Sequence, residues 1–310
     1  MNNYAIITDS GCDLTKELRE RFGVDDVLHG TVYFPDGHAE PSDIDWEKMT
    51  PEEFYRSMSG RKVLYKTATF MEEEGWKSME KQLAEGRDIL VITLSTALSG
   101  TYQLCRLIAD ELMKKYPERK IIYVDSLRYS TALAMLVMLA CRKRDEGASI
   151  EECAEYVNET KHRIHQIGAM DDLFFLVKTG RISNFKALFG SMVGVNPMAD
   201  FNSKGLSEVI YKAKGKKTAL EAAVKYIKKL AVNPAEQTMF IAHSDRQAAA
   251  ELLRDMVEKE IGPKEIITIP VGMSCGCNIG PGLCAAFFLG ESISEDLKTE
   301  KAAIEEIFAK

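Results

Sequence analysis

The sequence predicts an α/β protein of two domains, and two observations predict it. In the first half of the chain, short β-branched apolar runs alternate with helical patterns, which is typical of a parallel, Rossmann-like sheet covered by helices. After about residue 165, two runs joined by a polar turn at 202–205 form a hairpin, which requires antiparallel pairing and so indicates a mixed sheet. We expect an N-terminal α/β domain at 1–165 and a C-terminal α/β domain at 166–310, ending in a docked amphipathic helix at about 292–308.

Composition limits the class of protein. The 310 residues have a formal net charge of −7 without a basic face, which argues against nucleic-acid binding. No run approaches the roughly 20 apolar residues that span a bilayer, and the N-terminus lacks a signal-peptide pattern. The cysteines number seven and are unevenly spaced, as expected for reduced thiols rather than a disulfide framework. We therefore expect a cytoplasmic protein without stable membrane insertion.

The N-terminal domain begins with a strand at 4–8 and a helix that we expect Asp13 to cap. Thr69 and Glu72 have the spacing of a capping box, in which each side chain accepts a hydrogen bond from the other's backbone N–H. A helix is therefore predicted to begin there. It would leave Thr67 beside a helix N-terminus with no local role.

A strand predicted at 88–94 ends in a turn rich in hydroxyl groups, and a helix with a buried stripe follows. Such a turn presents free N–H groups and the positive end of the helix dipole, so it suits an anion. Serine and threonine are also the ordinary N-cap residues, so the same pattern is explained equally well without a ligand. The hydroxyls belong to Ser95, Thr96, Ser99 and Thr101.

A further parallel strand at 121–124 ends at Asp125, and the helix predicted after it, at 129–144, is apolar nearly all round. Its Met135 and Met138 fit a plain hydrophobic core. Flexible methionines can also line an adaptable cavity, so this helix has two interpretations.

Two stretches of the C-terminal domain carry candidate chemistry. Arg181 lies in a turn, where a guanidinium can grip a carboxylate or phosphate, or can instead bond the last carbonyls of a helix. Residues 271–282 are rich in glycine and precede an apolar helix predicted at 283–289, an arrangement that suits a backbone anion nest. Cys275 and Cys277 have no second cysteine pair or histidine nearby, which argues against zinc. Their spacing is not that of a disulfide-exchange motif either.

Six groups of short motifs, in order over about residues 4–289, match those of a known family. They are Ile7-Thr8-Asp9-Ser10 with Asp13-Leu14, Lys66-Thr67, Leu94-Ser95-Thr96 with Leu98-Ser99-Gly100-Thr101-Tyr102, Val124-Asp125-Ser126, Gly180-Arg181-Ile182-Ser183, and Gly280-Pro281-Gly282. Together they resemble the DegV family of bacterial fatty-acid-binding proteins. The likeness is most specific at residues 98–102.

The resemblance implies a lipid-binding protein that has no catalysis of its own and needs no cofactor or metal. It implies one long-chain fatty acid in a tunnel between two α/β domains, with the carboxylate presented to a separate ATP-dependent kinase that makes the acyl phosphate. Apolar candidates for lining the tunnel are Met135, Met138, Leu188, Phe189 and Met192.

Carried over by position, Thr67 and Ser95 would bond the carboxylate directly, and Arg181 would support it from the second domain. Asn278 stands where the family has a histidine, and an amide can hydrogen-bond but cannot carry positive charge. A buried carboxylate needs several donors to offset its desolvation, which hydroxyls can supply without a cation. The residues assigned to the carboxylate are Thr67, Ser95, Thr96, Ser99, Arg181 and Asn278.

Two other functions are compatible with the sequence. A hydrolase could use Ser95 or Ser99 as nucleophile with His243, although no Gly-x-Ser-x-Gly elbow occurs. A sensor of phosphate or another small anion would have a short polar cavity rather than a long apolar one. The common glycine-rich nucleotide motifs are absent from the sequence.

Overall fold

A computed structural model describes residues 4–61, 63–182 and 194–309. Its contacts divide the chain into two compact units. Unit 1 comprises Met1–Lys48, Leu64–Lys161 and Gly272–Cys275, and unit 2 comprises Met49–Val63, His162–Val271 and Gly276–Lys310. The domain boundary between residues 165 and 166 stays a prediction.

The helices and strands of the described residues alternate through most of the chain. In order they are β1 (Tyr4–Asp9), α1 (Lys16–Phe22), β2 (Asp26–Leu28), β3 (Gly30–Tyr33), β4 (Ala39–Pro41), α2 (Pro51–Met58), β5 (Lys66–Phe70), α3 (Glu72–Ala84), β6 (Asp88–Thr93), α4 (Thr101–Lys115), β7 (Ile121–Asp125), α5 (Thr131–Asp145), α6 (Ile150–Thr160), β8 (Ile164–Met170), α7 (Phe174–Thr179), β9 (Val195–Phe201), β10 (Ser207–Lys214), α8 (Lys216–Leu230), β11 (Thr238–His243), α9 (Gln247–Glu260), β12 (Glu265–Pro270), α10 (Met273–Ile279), β13 (Leu283–Leu289) and α11 (Lys298–Ala309).

The main sheet of unit 1 has four strands in the order β2-β1-β6-β7, all parallel. Every residue of β1 is buried, as expected for a strand covered on both faces. Helices α3 and α4 pack on one side of this sheet around a core that includes Ile7, Met79, Val91 and Ile108. The predicted parallel N-terminal sheet is confirmed.

A small antiparallel sheet, β4-β3-β5, adds to unit 1 and changes two predictions. Thr69 belongs to β5, and α3 begins after Met71 without a side-chain cap, so the predicted capping box with Glu72 is wrong. Asp13 likewise does not cap α1, whose N-cap is Thr15. Both side chains had the right spacing for a cap, but tertiary contacts place them elsewhere.

The sheet of unit 2 has six strands in the order β10-β9-β8-β13-β11-β12. All neighbours are antiparallel except β11 and β12, so the predicted hairpin and mixed sheet are confirmed. Helix α11 packs through Ile304 and through Phe308, whose ring stacks on Tyr211 at a centroid distance of 4.0 Å. The terminal helix therefore docks as expected, although it begins at Lys298 rather than near residue 292.

The helix predicted at 283–289 is wrong, because this run forms β13 in the middle of the sheet. A short apolar run is compatible with either a buried helix or a buried strand, and both its neighbours here are strands. Gly168 on β8 faces it closely. A Cβ at Gly168 would lie 2.3 Å from the Cys284 carbonyl oxygen, so only glycine allows this approach.

Candidate functional site

The carboxyl ends of the parallel strands bring three turns together at one edge of the unit 1 sheet. Asp9 Oδ2, at the end of β1, accepts from the Leu94 N–H at 2.8 Å. Asp125, at the end of β7, accepts from the Thr96 hydroxyl at 2.6 Å and from the Thr96 N–H at 3.3 Å. The turn around Ser95 is therefore held by a carboxylate on each side. In open α/β sheets, this edge is where ligands bind.

Ser95 is fully buried in this turn. Its backbone N–H donates to the Arg128 carbonyl at 2.8 Å, and its hydroxyl oxygen accepts from the Ala97 N–H at 3.3 Å. A serine hydroxyl has one hydrogen to donate and two lone pairs to accept. Because the Ser95 hydroxyl oxygen accepts from Ala97, its hydroxyl hydrogen can still be donated to an anion.

The other hydroxyls of the turn have partners within the protein. Thr96 donates to Asp125, as described above, and Ser99 Oγ lies 2.9 Å from Thr101 Oγ1 and accepts from the Thr101 N–H at 3.3 Å. Helix α4 begins after Gly100 without a side-chain cap of the usual kind. These contacts fix the shape of the turn and the start of the helix.

Thr67 lies on β5 of unit 1, half-buried and paired across the sheet with Val32. Close to the same strand is a serine pair that the sequence reasoning missed. Ser10 Oγ accepts from the Gly30 N–H at 2.9 Å and lies 2.7 Å from Ser274 Oγ. A Cβ at Gly30 would lie 3.0 Å from the Ala68 carbonyl oxygen, so glycine allows β3 and β5 to approach closely at this point.

Two buried carboxyl groups stand behind the turns. Asp13 Oδ1 accepts from the Gly272 N–H at 3.0 Å, and its Oδ2 accepts from the hydroxyls of Ser130 and Thr131. Burial raises the pKa of Asp13 to about 7, although these hydrogen bonds oppose the shift. Burial likewise raises the pKa of Asp9 to about 6, against the backbone N–H donors of Leu94 and Gly11.

A buried cation also lies in the loop after β7. Arg128 is only 1% exposed, and its Nη1 donates to the Leu127 carbonyl at 2.7 Å. Leu127 and Ser130 have positive φ angles of 51° and 54°, an unusual backbone conformation for residues other than glycine. The sequence reasoning missed Arg128. The available signal was an arginine set between apolar residues just ahead of a helix that is apolar all round.

Arg181 and Asn278 belong to unit 2. Arg181 Nη1 donates to the carbonyl of Thr179, the last residue of α7, and Gly180 ends that helix with φ 71°. This is the contact expected of an arginine that bonds the end of a helix. Asn278 is half-buried on α10.

The apolar candidates are described only in part. Met135 and Met138 are 1% and 0% exposed on α5, which is buried nearly all round as predicted. Leu188, Phe189 and Met192 lie outside the described residues. The lining of an acyl tunnel by these five side chains stays a prediction.

The described residues do not bring together the groups that a serine hydrolase or a metal site would need. His243 Nδ1 accepts from the Arg246 N–H at 3.4 Å, and neither Ser95 nor Ser99 bonds a histidine in the described part of the chain. Among the same residues, no cluster of three histidine, cysteine or acidic side chains could hold a metal ion. The seven cysteines are free and buried. None of the described helices is both long and apolar enough to cross a membrane.

Comparison with known proteins matches almost the whole chain. Residues 3–291 match the family model described as "Uncharacterised protein, DegV family". A DegV domain-containing protein of Clostridium perfringens is 32% identical over 292 residues, which cover 94% of this chain and 99% of that protein. A similar protein of Caldanaerobacter subterraneus is 29% identical, covering 93% of this chain and 99% of its own.

Solved structures show the same fold. A Thermus thermophilus DegV family protein, described by its fatty-acid binding, has a TM-score of 0.83 at 25% identity and covers 93% of this chain and 99% of its own. The Streptococcus pneumoniae fatty acid kinase B3 protein, loaded with linoleic acid, has a TM-score of 0.77 at 19% identity and covers 93% of this chain and 100% of its own. The chain therefore belongs to the DegV family.

Proposed function

We propose that this protein binds a long-chain fatty acid and that its carboxylate is bound at the turn containing Ser95. The observation that carries the proposal is the buried hydroxyl of Ser95, which accepts from Ala97 and keeps its own hydrogen to donate. The fatty-acid binding of the Thermus thermophilus relative supports the same class of ligand. A hydrogen bond to a charged acceptor contributes about 1.5–3 kcal/mol, so one hydroxyl can matter.

The electrostatics of unit 1 are compatible with an anion. The raised pKa values of Asp9 and Asp13, about 6 and about 7, keep a part of these carboxyls protonated near neutral pH, which reduces their repulsion of a bound carboxylate. In the proposal, Thr67 adds a donor beside Ser95, and Thr96 and Ser99 shape the turn.

The remainder of the ligand is apolar. Each buried methylene contributes about 0.8 kcal/mol, so the acyl chain would dominate the affinity. We place the chain against Met135 and Met138, and against Leu188, Phe189 and Met192 outside the described residues. Its predicted position between the two domains is part of the proposal, as is a cytoplasmic location.

Binding is tested by native mass spectrometry of the purified protein, followed by titration of delipidated protein with oleate. We expect a co-purified fatty acid, and at least a tenfold weaker affinity in Ser95→Ala. Ser99→Ala is the matched control, because its hydroxyl is engaged with Thr101, and it should change the affinity less than about threefold. Absence of both co-purified lipid and oleate uptake would sink the proposal.

The second part of the proposal is that the bound carboxylate is presented to a separate kinase, with Arg181 and Asn278 supporting it. Acyl phosphate formation is measured as hydroxamate after adding oleate, ATP and a bacterial fatty acid kinase subunit. Product should require all components. Asn278→His, which restores a group able to carry charge, should raise the rate without changing the affinity for oleate. Lipid binding without any acyl phosphate would contradict the second part of the proposal and leave only the fatty-acid binding.

A further inference from the structure

A groove lies on the surface of unit 1 where α3 and α4 pack side by side. Two contacts show that the helices run parallel. A Cβ at Gly75 on α3 would lie 2.7 Å from Ile108 Cδ1 on α4. Farther along both helices, Glu80 on α3 pairs with Lys115 on α4. The groove has a volume of about 600 Å³. This lies within the range of about 300–1,000 Å³ that is usual for small-molecule pockets. It is separate from the turn that contains Ser95.

The floor and walls of the groove are apolar. Trp76 on α3 and Leu104, Leu107 and Met113 on α4 line it over the buried Ile108. Leu107 is 59% exposed, and among the large hydrophobic side chains of the described residues only Met71, at 65%, is more exposed. An exposed leucine in a concave apolar surface is the kind of feature that marks an interaction site.

The rim of the groove is acidic. Glu72 accepts from Trp76 Nε1 at 3.2 Å and Asp110 accepts from the Tyr123 hydroxyl at 3.3 Å, and within the described residues neither has a cationic partner at ion-pair distance. Glu111 is paired with Lys114. The rim therefore has a net negative charge around an apolar centre.

We propose that this groove binds an amphipathic helix of another protein, one that presents leucine-like side chains flanked by lysine or arginine. The apolar face would fill the space between Trp76 and Leu107, and its cations would pair with Glu72 and Asp110. Amphipathic helices commonly bind grooves in this way, and the complementary charges select among them.

The acidic rim argues against two other occupants. A two-fold contact between copies of this chain through the groove would bring the same acidic residues face to face. A membrane surface with anionic lipids would be repelled by the same charges. A basic helix is attracted by the acidic rim, whereas a second copy of this chain or an anionic membrane is repelled by it.

The probe for this test is a synthetic helix of leucine and lysine, compared with the same helix carrying glutamate in place of lysine. Trp46→Phe leaves Trp76, in the groove, as the only tryptophan and so as the fluorescent reporter. We expect the lysine helix to change this fluorescence saturably and to bind at least tenfold more tightly than the glutamate helix.

Two variants decide whether the groove itself is responsible. Leu107→Gln should weaken binding of the lysine helix at least tenfold, whereas Leu252→Gln, at a leucine 41% exposed on α9, should leave it unchanged. Equal binding to both variants would show nonspecific attraction to an acidic protein and overturn the proposal. A concentration-dependent dimer that Leu107→Gln dissociates, or tighter binding to anionic vesicles than to the lysine helix, would also overturn it.

Discussion

Both units bury aspartates, and Asp13 of unit 1 and Asp200 of unit 2 are stabilised in different ways. Asp13 of unit 1 is surrounded by uncharged donors, namely the Gly272 N–H and the hydroxyls of Ser130 and Thr131. Asp200 of unit 2 lies 2.7 Å from His165 Nδ1 and accepts from the Tyr226 hydroxyl at 2.8 Å.

Both ring nitrogens of His165, in unit 2, face oxygen atoms. His165 Nε2 lies 2.9 Å from the Glu291 carbonyl oxygen while Nδ1 faces Asp200, so a ring protonated on both nitrogens could donate to both partners. Burial opposes the charged ring, but attraction to Asp200 and the hydrogen bonds outweigh it and raise the pKa of His165. Unit 2 therefore buries an ion pair, whereas in unit 1 burial favours the neutral acid.

The largest expected effect comes from removing the charge of the unit 2 aspartate. Asp200→Asn leaves the His165 imidazolium without its counter-charge, and breaking a buried ion pair in this way costs about 3 kcal/mol or more. Hydrogen exchange measured by mass spectrometry should show lower protection of β8 and β9. Asp255→Asn, an exposed position on α9, is the control and should change protection by less than the equivalent of about 0.5 kcal/mol. Equal effects of the two variants would contradict the assignment of a buried ion pair.

A smaller loss is expected from the unit 1 aspartate, since no cation depends on it. Asp13→Ala removes the acceptor for one N–H and two hydroxyls, and unsatisfied buried donors make this cost about 2 kcal/mol. Asp13→Asn keeps an acceptor and tolerates the positive φ of 57°, so it should lose less than half as much. Urea unfolding measures both variants. A loss in Asp13→Asn as large as in Asp13→Ala would mean that the negative charge itself is needed.

The two networks should also respond to different pH ranges. Because the pKa of Asp13 is raised to about 7 and that of an unfolded aspartate is about 4, the folded state binds more protons between these values. The contribution of Asp13 to the free energy of unfolding then falls as pH rises from 4 to 7, by at most about 1.4 kcal/mol per pH unit. For His165 the stabilisation is complete below about pH 6.5 and is lost as pH rises through its raised pKa.

Comparing the wild type with Asp13→Asn separates these two contributions. The variant cannot ionise at this position, so its unfolding free energy should fall less steeply between pH 4 and 7. Above about pH 8, where Asp13 is ionised in the folded and the unfolded state, the two proteins should have the same slope, since His165 is unchanged. Parallel curves over the whole range would mean that Asp13 is ionised throughout.

The sequence was most informative where local signals and tertiary structure agree. The sequence predicts a strand, a hydroxyl-rich turn and a helix in this order, and the structure has them with the strand ending at Thr93 and the helix beginning at Thr101. Here the apolar run, the turn residues and the helical stripe all indicate the same structure. The hairpin of β9 and β10 was visible for the same reason. The family motifs indicate a class of ligand, which the spacing of residues alone does not.

The sequence was least informative about long-range polar contacts. Asp13 looked like a helix cap, yet it bonds the Gly272 N–H, 259 residues away. His165 and Asp200 are 35 residues apart and carry no motif, so nothing local indicated an ion pair. For the strand Leu283–Leu289 the sequence predicts a helix, because a short apolar run has no period that separates a buried helix from a buried strand. Such contacts depend on how the strands are ordered, which a single sequence does not specify.

The smallest expected losses of stability come from a helix-capping motif that occurs in both units. Thr50 in unit 2 and Ser149 in unit 1 each form a complete capping box, with Glu53 and with Glu152. Both caps lie at the surface and depend only on local geometry, so Thr50→Ala and Ser149→Ala should each cost about 1 kcal/mol and differ by less than about 0.5 kcal/mol. Hydrogen exchange of α2 and α6 measures the two losses separately. A clear difference would mean that the units differ in more than their buried charges, because the caps themselves are equivalent.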